Sequence, residues 1–366
     1  MSSPRLRLGS LLIALALGGC SAGAPTTLPS AQPAETWPAA TGPVASTAPD
    51  TSQGPSRRTL LVDTDVAADD IVALTFLVSS PQVEIAGITI SGTGEADCTG
   101  GIDVVLRLLE RLDAPDIPVA CGRETPLAGT HAFPSAWRQS VDQGSGLDLP
   151  PTARRPSSST AVELIVELAK QRPGLTILTL GPVTNLADAV LRDPGLAEGV
   201  GPVVFVMGGA LHVPGNLVCC GAPVGNSVAE WNIYVDPHAA RVLVDSGLTP
   251  SFVSLDGTNQ VPLTIDFASR AMQPAESEAA SVLAEILTAN PFMTDGSFFL
   301  WDPLAAQLAA GYPIGSFSPE RIVVEEAEGP ESGFTRPTDG VPNIQYLQTV
   351  DPAAAQDTLL RILNGD

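Results

Sequence analysis

Residues 60–70 read Leu-Leu-Val-Asp-Thr-Asp-Val-Ala-Ala-Asp-Asp, an apolar run that leads into four carboxylates within eight positions. Residues 71–77, Ile-Val-Ala-Leu-Thr-Phe-Leu, follow directly and are apolar at nearly every position. The first run predicts a buried central strand of a parallel sheet, and the second predicts the helix that crosses back over that sheet. Ligands bind at the carboxyl ends of the strands in open α/β sheets, so the carboxylates lie where a site is expected.

These carboxylates are more numerous than a helix start requires. Asp69 and Asp70 suit a helix N-terminus because the helix dipole is positive there, but Asp65 lies at the end of the strand. Carboxylates held close together repel one another or take up protons unless a cation lies between them. Oxygen ligands favour Ca²⁺ or Mg²⁺ over zinc or copper. The stretch therefore predicts a site for a hard divalent cation.

The rest of the chain continues the alternation of strands and helices. Further strand-like runs occupy residues 83–90, 117–122, 175–180, 203–206 and 252–256. Helical patterns separate them, and an amphipathic helix at 352–363 closes the chain. The pattern predicts one α/β domain over residues 59–366, with a mixed, mainly parallel sheet flanked by helices. Segment 122–151 has too few periodic apolar residues for regular structure, which predicts an ordered loop covering the active site.

The N-terminal part differs in composition from this domain. Residues 1–19 have basic residues before a short apolar run, and Leu-Gly-Gly-Cys at 17–20 resembles a bacterial lipoprotein signal in which Cys20 becomes the lipidated first residue. Residues 20–58 are rich in Ala, Pro, Ser and Thr and predict a disordered tether. We therefore expect an exported protein, lipid-anchored to the outer face of the bacterial membrane; an ordinary signal peptide with an incidental cysteine is the alternative.

The charge balance narrows the choice of partners. The chain has 40 acidic and 18 basic residues and a formal net charge of −22, which repels phosphate backbones and argues against nucleic acid. A neutral small molecule together with a cation fits this charge better. Phosphatases of the haloacid dehalogenase type also carry Asp-x-Asp at a strand end, but they need a second basic residue, usually Lys. The sole lysine here, Lys170, lies on an amphipathic helical pattern and argues against that class.

Two blocks of the sequence resemble one enzyme family. The Asp-x-x-x-Asp-Asp pattern at 65–70 resembles the N-terminal signature of the nucleoside hydrolases, which are calcium-dependent N-ribohydrolases. Met-Gly-Gly at 207–209, Gly-Asn at 215–216 and Glu-Trp-Asn at 230–232 resemble a later block of the same family, in the same order. The resemblance covers nearly all of the predicted domain and implies the family's α/β fold.

The resemblance also implies roles for individual residues. It implies a calcium ion held by Asp65, Asp70, Asp302 and the main-chain carbonyl of Leu180. Asp65 is implied as the general base that deprotonates the attacking water. Sugar contacts are implied for Asp69, Asn216, Glu230 and Asn232, and Asp97 replaces an asparagine that many members have in the loop after the second strand. The base is implied to stack between Trp137 and Trp301.

Several assignments have alternatives at this stage. An insertion between the two sugar-binding blocks contains a second Gly-Asn, so Asn226 could replace Asn216 as the sugar contact. Spacing alone does not determine which of the four remaining cysteines pair: Cys98, Cys121, Cys219 and Cys220. Helix-capping roles are predicted for Thr184, Asn185, Asp236 and Asp256.

The function predicted from these features is calcium-dependent hydrolysis of the N-glycosidic bond of ribonucleosides to free base and ribose. Many pyrimidine-accepting members have a His immediately before the last calcium aspartate, and Trp301 at that position favours purines. The substrate is then a small-molecule nucleoside, the membrane is contacted only through Cys20, and the oligomeric state, a homo-oligomer included, is open. The alternative is a lipoprotein that binds nucleosides for uptake without hydrolysing them.

Overall fold

An eight-stranded sheet forms the centre of the structure, a computed structural model that describes residues 57–217 and 225–366. In chain order, the strands are β1 (Arg58–Thr64), β2 (Val83–Ile90), β3 (Val119–Cys121), β4 (Thr176–Thr179), β5 (Val203–Met207), β6 (Ser251–Val253), β7 (Gly315–Glu320), β8 (Ile322–Val324), β9 (Thr335–Pro337) and β10 (Ile344–Val350). The sheet order is β3-β2-β1-β4-β5-β6-β10-β7, while β8 and β9 form a separate antiparallel pair. Only β7 runs antiparallel to its neighbour in the large sheet, so the predicted mixed, mainly parallel sheet is confirmed.

Strand β1 lies in the interior of the sheet and packs against apolar residues on both faces. It pairs with β2 on one side and β4 on the other, both in parallel. Leu60 and Val62 pack into the apolar layer on one face of the sheet, and Leu61 packs into the layer on the opposite face. All three side chains are fully buried. The continuous apolar run at 60–62 thus reflects burial on both faces, as in other parallel sheets.

Helices cover both faces of the sheet. In chain order they are α1 (Ala68–Ser79), α2 (Cys98–Arg111), α3 (Ser135–Asp142), α4 (Ala161–Gln171), α5 (Thr184–Arg192), α6 (Trp231–Val235), α7 (Pro237–Asp245), α8 (Leu255–Thr258), α9 (Ile265–Ala271), α10 (Glu278–Ala289), α11 (Trp301–Ala310) and α12 (Pro352–Leu363). One apolar layer contains residues of α1, α2, α10, α11 and α12, and the other contains residues of α4, α5 and α7. Among the described residues, no helix is long and apolar enough to cross a bilayer.

The segment predicted as an irregular covering loop, 122–151, contains a helix. α3 spans Ser135–Asp142 and buries only Val141 among its eight residues. One buried position in two turns leaves almost no apolar period in the sequence, which explains why the helix was missed.

Three of the four predicted helix caps were wrong, and two of these residues are neighbours at the start of α5. Thr184 and Asn185 are the first two residues of α5 rather than its cap, because their side chains bind distant groups. Thr184 Oγ1 donates to Asp236 at 2.9 Å, and Asn185 Nδ2 donates to Asp63 at 2.8 Å. The cap predicted at Asp236 is confirmed, since its carboxylate accepts the amide of Ala239 at the start of α7.

Two more points from the sequence lie outside the site: the helix cap predicted at Asp256 and the open question of which cysteines pair. Asp256 lies inside α8 and accepts the amides of Leu211 and His212 instead of capping the turn. A disulfide joins Cys98 at the start of α2 to Cys121 at the end of β3, with a Cα–Cα distance of 5.6 Å. Cys219 and Cys220 lie outside the described residues, as do the predicted signal sequence, Cys20 and nearly all of the predicted tether.

Candidate active site

A cavity of about 470 Å³ opens at the carboxyl ends of the central strands. It lies beside the residues that follow β1 and β4, the end of β5, and the first turns of α1 and α11. This location is the ligand crevice expected for an open parallel sheet, and the volume lies within the range of small-molecule sites. All but one of the predicted site residues line it: Asp65, Asp69, Asp70, Trp137, Leu180, Asn216, Glu230, Asn232, Trp301 and Asp302.

Three buried carboxylates form the deepest polar group of the cavity. Asp69, Asp70 and Asp302 each place a carboxylate oxygen within 4.8 Å of the other two. Asp70 Oδ2 is buried and has no hydrogen-bond partner, while Asp70 Oδ1 accepts the Thr64 hydroxyl and the Asp65 amide. A buried unpaired carboxylate oxygen among like charges fits an oxygen-ligand cation site, since such an oxygen is costly without a partner.

The membership of this cluster differs from the set implied by the resemblance. Asp69, which was expected to contact the sugar, is one of the three residues of the cluster. Asp65, which was expected to bind the metal, is not among the residues whose carboxylate oxygens all lie within 4.8 Å of one another. Asp69 and Asp70 are adjacent on the first turn of α1, and both face the cavity. The Leu180 carbonyl, the fourth expected ligand, accepts Asn232 Nδ2 at 2.7 Å, and its second lone pair is left for a cation.

Burial and mutual repulsion raise the proton affinity of the cluster. Burial, and then the charge of Asp70, raise the pKa values of Asp65 and Asp302 well above the ordinary range of an aspartate. Without a compensating positive charge, these groups therefore favour the protonated form. A divalent cation would reverse that preference and hold the carboxylates ionised.

Two turns at the carboxyl ends of the strands, one after β2 and one after β4, pack against Asp65. Its Oδ2 accepts the Glu95 amide at 3.0 Å. A Cβ atom at Gly94 would lie 2.2 Å from the Asp65 carboxylate, and one at Gly181 would lie 2.8 Å from its side chain. Both turns need glycine because their backbones pack directly against this carboxylate. The position of Asp65 is thus determined by the loops after β2 and β4 as well as by β1.

A second polar group on the cavity wall comes from the start of α6. Glu230 caps this helix and accepts the amides of Gly209, Asn232 and Ile233 at 3.0–3.2 Å. Burial raises the pKa of Glu230 to about 7. Asn232 Nδ2 reaches back to the Leu180 and Met207 carbonyls, so it ties α6 to the ends of β4 and β5.

The structure separates the two candidate asparagines. Asn216 lines the cavity, and its Oδ1 accepts the Trp231 amide at 3.0 Å. Asn226 is buried away from the cavity, where it bonds the Ser332 carbonyl and the amides of Val228 and Ala229. Asn216 is therefore placed to contact a ligand, and Asn226 holds the backbone of its own loop.

Asp97 is the predicted site residue that the structure places elsewhere. Its carboxylate pairs with Arg138 of α3, its amide donates to Asp142 at 2.9 Å, and the residue is exposed. The loop turns between Glu95 and the start of α2, so Glu95 lines the cavity and Asp97 faces α3. The structure therefore does not place Asp97 in the cavity where a sugar contact was expected, and Glu95, two positions earlier, is the residue of this loop that lines it.

Aromatic side chains form a further part of the lining, called here the aromatic wall. Trp137 packs against Trp231 at a ring-centroid distance of 5.4 Å, and Trp301 packs against Phe298 at 4.4 Å. Four aromatic residues of this wall were not predicted, although two of them, Trp231 and Phe298, lie within a quoted motif or within three residues of a predicted tryptophan: Phe133, Trp231, Phe292 and Phe298. The cavity thus joins a carboxylate wall to an aromatic wall, a combination suited to a polar group attached to a flat ring.

Comparisons with known proteins agree with this arrangement. The family model of the inosine-uridine preferring nucleoside hydrolases matches residues 60–357. Uridine nucleosidase 1 of Arabidopsis thaliana is 36% identical over 208 residues, which cover 57% of this chain and 59% of that protein. The match thus spans about three fifths of that relative's length.

Solved structures extend the likeness to the whole fold. A plant nucleoside hydrolase superposes with a TM-score of 0.74 at 28% identity, covering 86% of this chain and all of that one. The purine-preferring ribonucleoside hydrolase of Gardnerella vaginalis superposes with a TM-score of 0.71 at 25% identity, covering 84% and 98%. This chain belongs to the inosine-uridine preferring nucleoside hydrolase family.

Proposed function

We propose that this protein hydrolyses the N-glycosidic bond of ribonucleosides in a calcium-dependent reaction and prefers purine nucleosides. The observation that carries the proposal is one cavity that is lined both by a buried carboxylate cluster and by aromatic side chains. Membership of the nucleoside hydrolase family supports the reaction class. The products are the free base and ribose.

The carboxylate cluster is the proposed calcium site. Asp70, Asp302 and the Leu180 carbonyl supply oxygen ligands, and Asp69 and Asp65 complete the oxygen-rich surroundings. A bound Ca²⁺ would supply the positive charge that favours deprotonation of a neighbouring water and binding of vicinal ribose hydroxyls.

Asp65 is the proposed general base. A bound cation would hold its carboxylate ionised and able to accept a proton, and the Glu95 amide keeps one oxygen fixed. The other polar wall orients the sugar, because Glu230 offers acceptors and the amides of Asn216 and Asn232 can bridge neighbouring hydroxyls. Positions on short, well-packed turns favour an accurate geometry of attack.

The aromatic wall is the basis of the proposed purine preference. No His, Lys or Arg is among the described residues lining the cavity, so no basic side chain is at hand to protonate the leaving base. Stacking between Trp137 and Trp301 would stabilise a large ring, and a purine offers more area than a pyrimidine. Known relatives include a uridine nucleosidase and a purine-preferring hydrolase, so both base classes belong in the test.

The test is ribose release from inosine, guanosine and uridine, each with calcium and again after chelation. Release from the purines that is lost on chelation and weak for uridine is the expected result. Equal or faster release from uridine would contradict the purine preference while leaving the reaction class intact. Binding of nucleosides by calorimetry without release of any base would instead favour an uptake receptor.

We further propose that the chain is exported and attached to the membrane through a lipid on Cys20. The lipoprotein-like Leu-Gly-Gly-Cys motif supports this attachment. Full-length protein should partition with membranes and incorporate a radiolabelled fatty acid, whereas Cys20→Ser should do neither. Membrane partitioning unchanged by Cys20→Ser would refute the anchor.

A further inference from the structure

One arginine connects α3 to the loop between β2 and α2, and the backbone of that loop contacts Asp65. Arg138 lies on α3, one position after Trp137, which lines the cavity. Its guanidinium donates to the carbonyls of Gly92 and Gly94 and to the Asp97 carboxylate, and the Gly92 contact measures 3.2 Å. All three acceptors belong to the loop between β2 and α2.

That loop in turn determines where Asp65 lies. The Glu95 amide, one residue after the carbonyl that Arg138 binds, donates to Asp65 Oδ2 at 3.0 Å. The backbone at Gly94 is so close to Asp65 that a Cβ atom there would overlap the carboxylate. A displacement of the loop therefore changes the orientation of Asp65 directly.

On the side of α5 the loop is held by two other contacts, because Ser91 Oγ donates to the Pro182 carbonyl at 2.8 Å and the hydroxyls of Thr93 and Thr184 lie 3.0 Å apart. At its far end, the Cys98–Cys121 disulfide joins the start of α2 to β3, and the Asp97 amide donates to Asp142 of α3. Between these points and β2, Arg138 is the described side chain that binds two carbonyls of the loop, those of Gly92 and Gly94, from outside it. A planar guanidinium suits this task because it presents several donors in a rigid arrangement.

We infer that Arg138 is a positioning residue for Asp65: it holds the Gly92–Asp97 loop so that the Glu95 amide orients the catalytic carboxylate. This inference rests on the proposed hydrolysis and adds a residue to it. Because Trp137 and Arg138 are neighbours on one short helix, the residue that stacks on the base and the residue that orients Asp65 move together.

The experiment compares Arg138→Ala and Arg138→Lys with Arg111→Ala. Arg111 is a matched control because its side chain is also largely buried and binds Glu285 by two 2.7 Å contacts, away from the cavity. We expect Arg138→Ala to lower kcat on inosine by about 100-fold while KM changes by less than about threefold. Arg138→Lys should retain part of the activity, and added guanidinium ion should partly restore Arg138→Ala.

A readout independent of turnover is amide hydrogen exchange. Exchange at residues 92–97 should accelerate in Arg138→Ala and stay unchanged in Arg111→Ala, with calcium present in both samples. A kcat close to that of the Arg111→Ala control, or unchanged exchange in the loop, would overturn the inference. If the unmodified protein releases no ribose from any nucleoside, the proposed function fails, and the exchange result still decides whether Arg138 holds the loop.

Discussion

The two walls of the cavity are built in different ways. The carboxylates Asp65, Asp70 and Asp302 follow a core strand or begin core helices, and each is at most 3% exposed. The aromatic wall comes from α3 and the residues before it, from α6, and from residues 292–301, and its exposure ranges from 6% at Phe133 and Trp231 to 53% at Phe292. The carboxylates proposed for chemistry are therefore buried, whereas Trp137 and Trp301, the proposed base contacts, are partly exposed.

This difference predicts separable effects of mutation. Changes on the carboxylate wall should alter turnover, metal binding and stability together, because the buried carboxylates repel one another and the same bound cation would offset that repulsion. Changes on the aromatic wall should alter affinity for the base with smaller effects on stability. The following predictions test that separation.

The largest effect is expected for Asp65→Asn. The substitution keeps the shape of the side chain and removes the proposed base, so turnover of inosine should fall by about 1,000-fold or more. Single-turnover kinetics with calcium at saturation measure this effect. Asp266→Asn, at a side chain that is 89% exposed, is the control. Turnover of Asp65→Asn near that of the control would remove Asp65 from the mechanism.

The second prediction concerns stability against pH in chelated protein. Burial raises the pKa values of Asp63 and Glu230 to about 7, whereas the unfolded chain releases these protons near pH 4. The folded state therefore binds protons more tightly, and the stability gained at low pH is lost as pH rises through about 7.

Thermal unfolding between about pH 5 and pH 8 measures this loss, which should amount to a few kcal/mol at most. Asp63→Asn should flatten the dependence, because it removes one of the groups that release a proton on unfolding. Added calcium should raise the melting temperature most at the higher pH, where the cluster is ionised. A melting temperature that rises steadily with pH in the chelated protein would contradict the proton linkage.

A smaller effect is expected on the aromatic wall. Trp137→Ala and Trp301→Ala should each raise KM for inosine by about tenfold, which corresponds to the loss of one stacking contact. KM for uridine should rise less, because a pyrimidine covers less of each ring. Trp137→Phe and Trp301→Phe retain an aromatic face and serve as controls. Equal losses for the two nucleosides would argue that the tryptophans do not select the base.

The smallest effect is expected far from both walls. Thr160 and Glu163 form a capping box at the start of α4. Thr160→Ala should lower the free energy of unfolding by about 1 kcal/mol in urea titrations and leave kcat unchanged. A change in kcat would mean that general stability, rather than the local geometry of either wall, limits turnover.

Elements with strong local patterns were predicted closely. The strand at the start of the domain, α1, α4 and α12 have apolar patterns that match their burial in the structure. The short helix α3 was missed because a helix of eight residues with one buried side chain has almost no apolar period. Burial of a continuous face, rather than helix propensity, is what makes an element visible in a sequence.

The sequence by itself determined the parallel α/β order and the carboxylates that follow β1, and its resemblance to the nucleoside hydrolases implied Glu230, Asn232 and the two tryptophans that line the cavity. A residue at the end of a buried strand has its place defined by the sheet, so its role can be predicted from neighbouring residues alone.

Only the tertiary structure showed that Glu95 and Asn216 line the cavity while Asp97 and Asn226 do not, that Asp69 belongs to the carboxylate cluster, and that Cys98 pairs with Cys121. These choices depend on loops whose direction is determined by contacts with distant segments, such as Arg138 with the loop after β2. A local pattern contains no information about such contacts, because their geometry exists only after the sheet and the helices have packed.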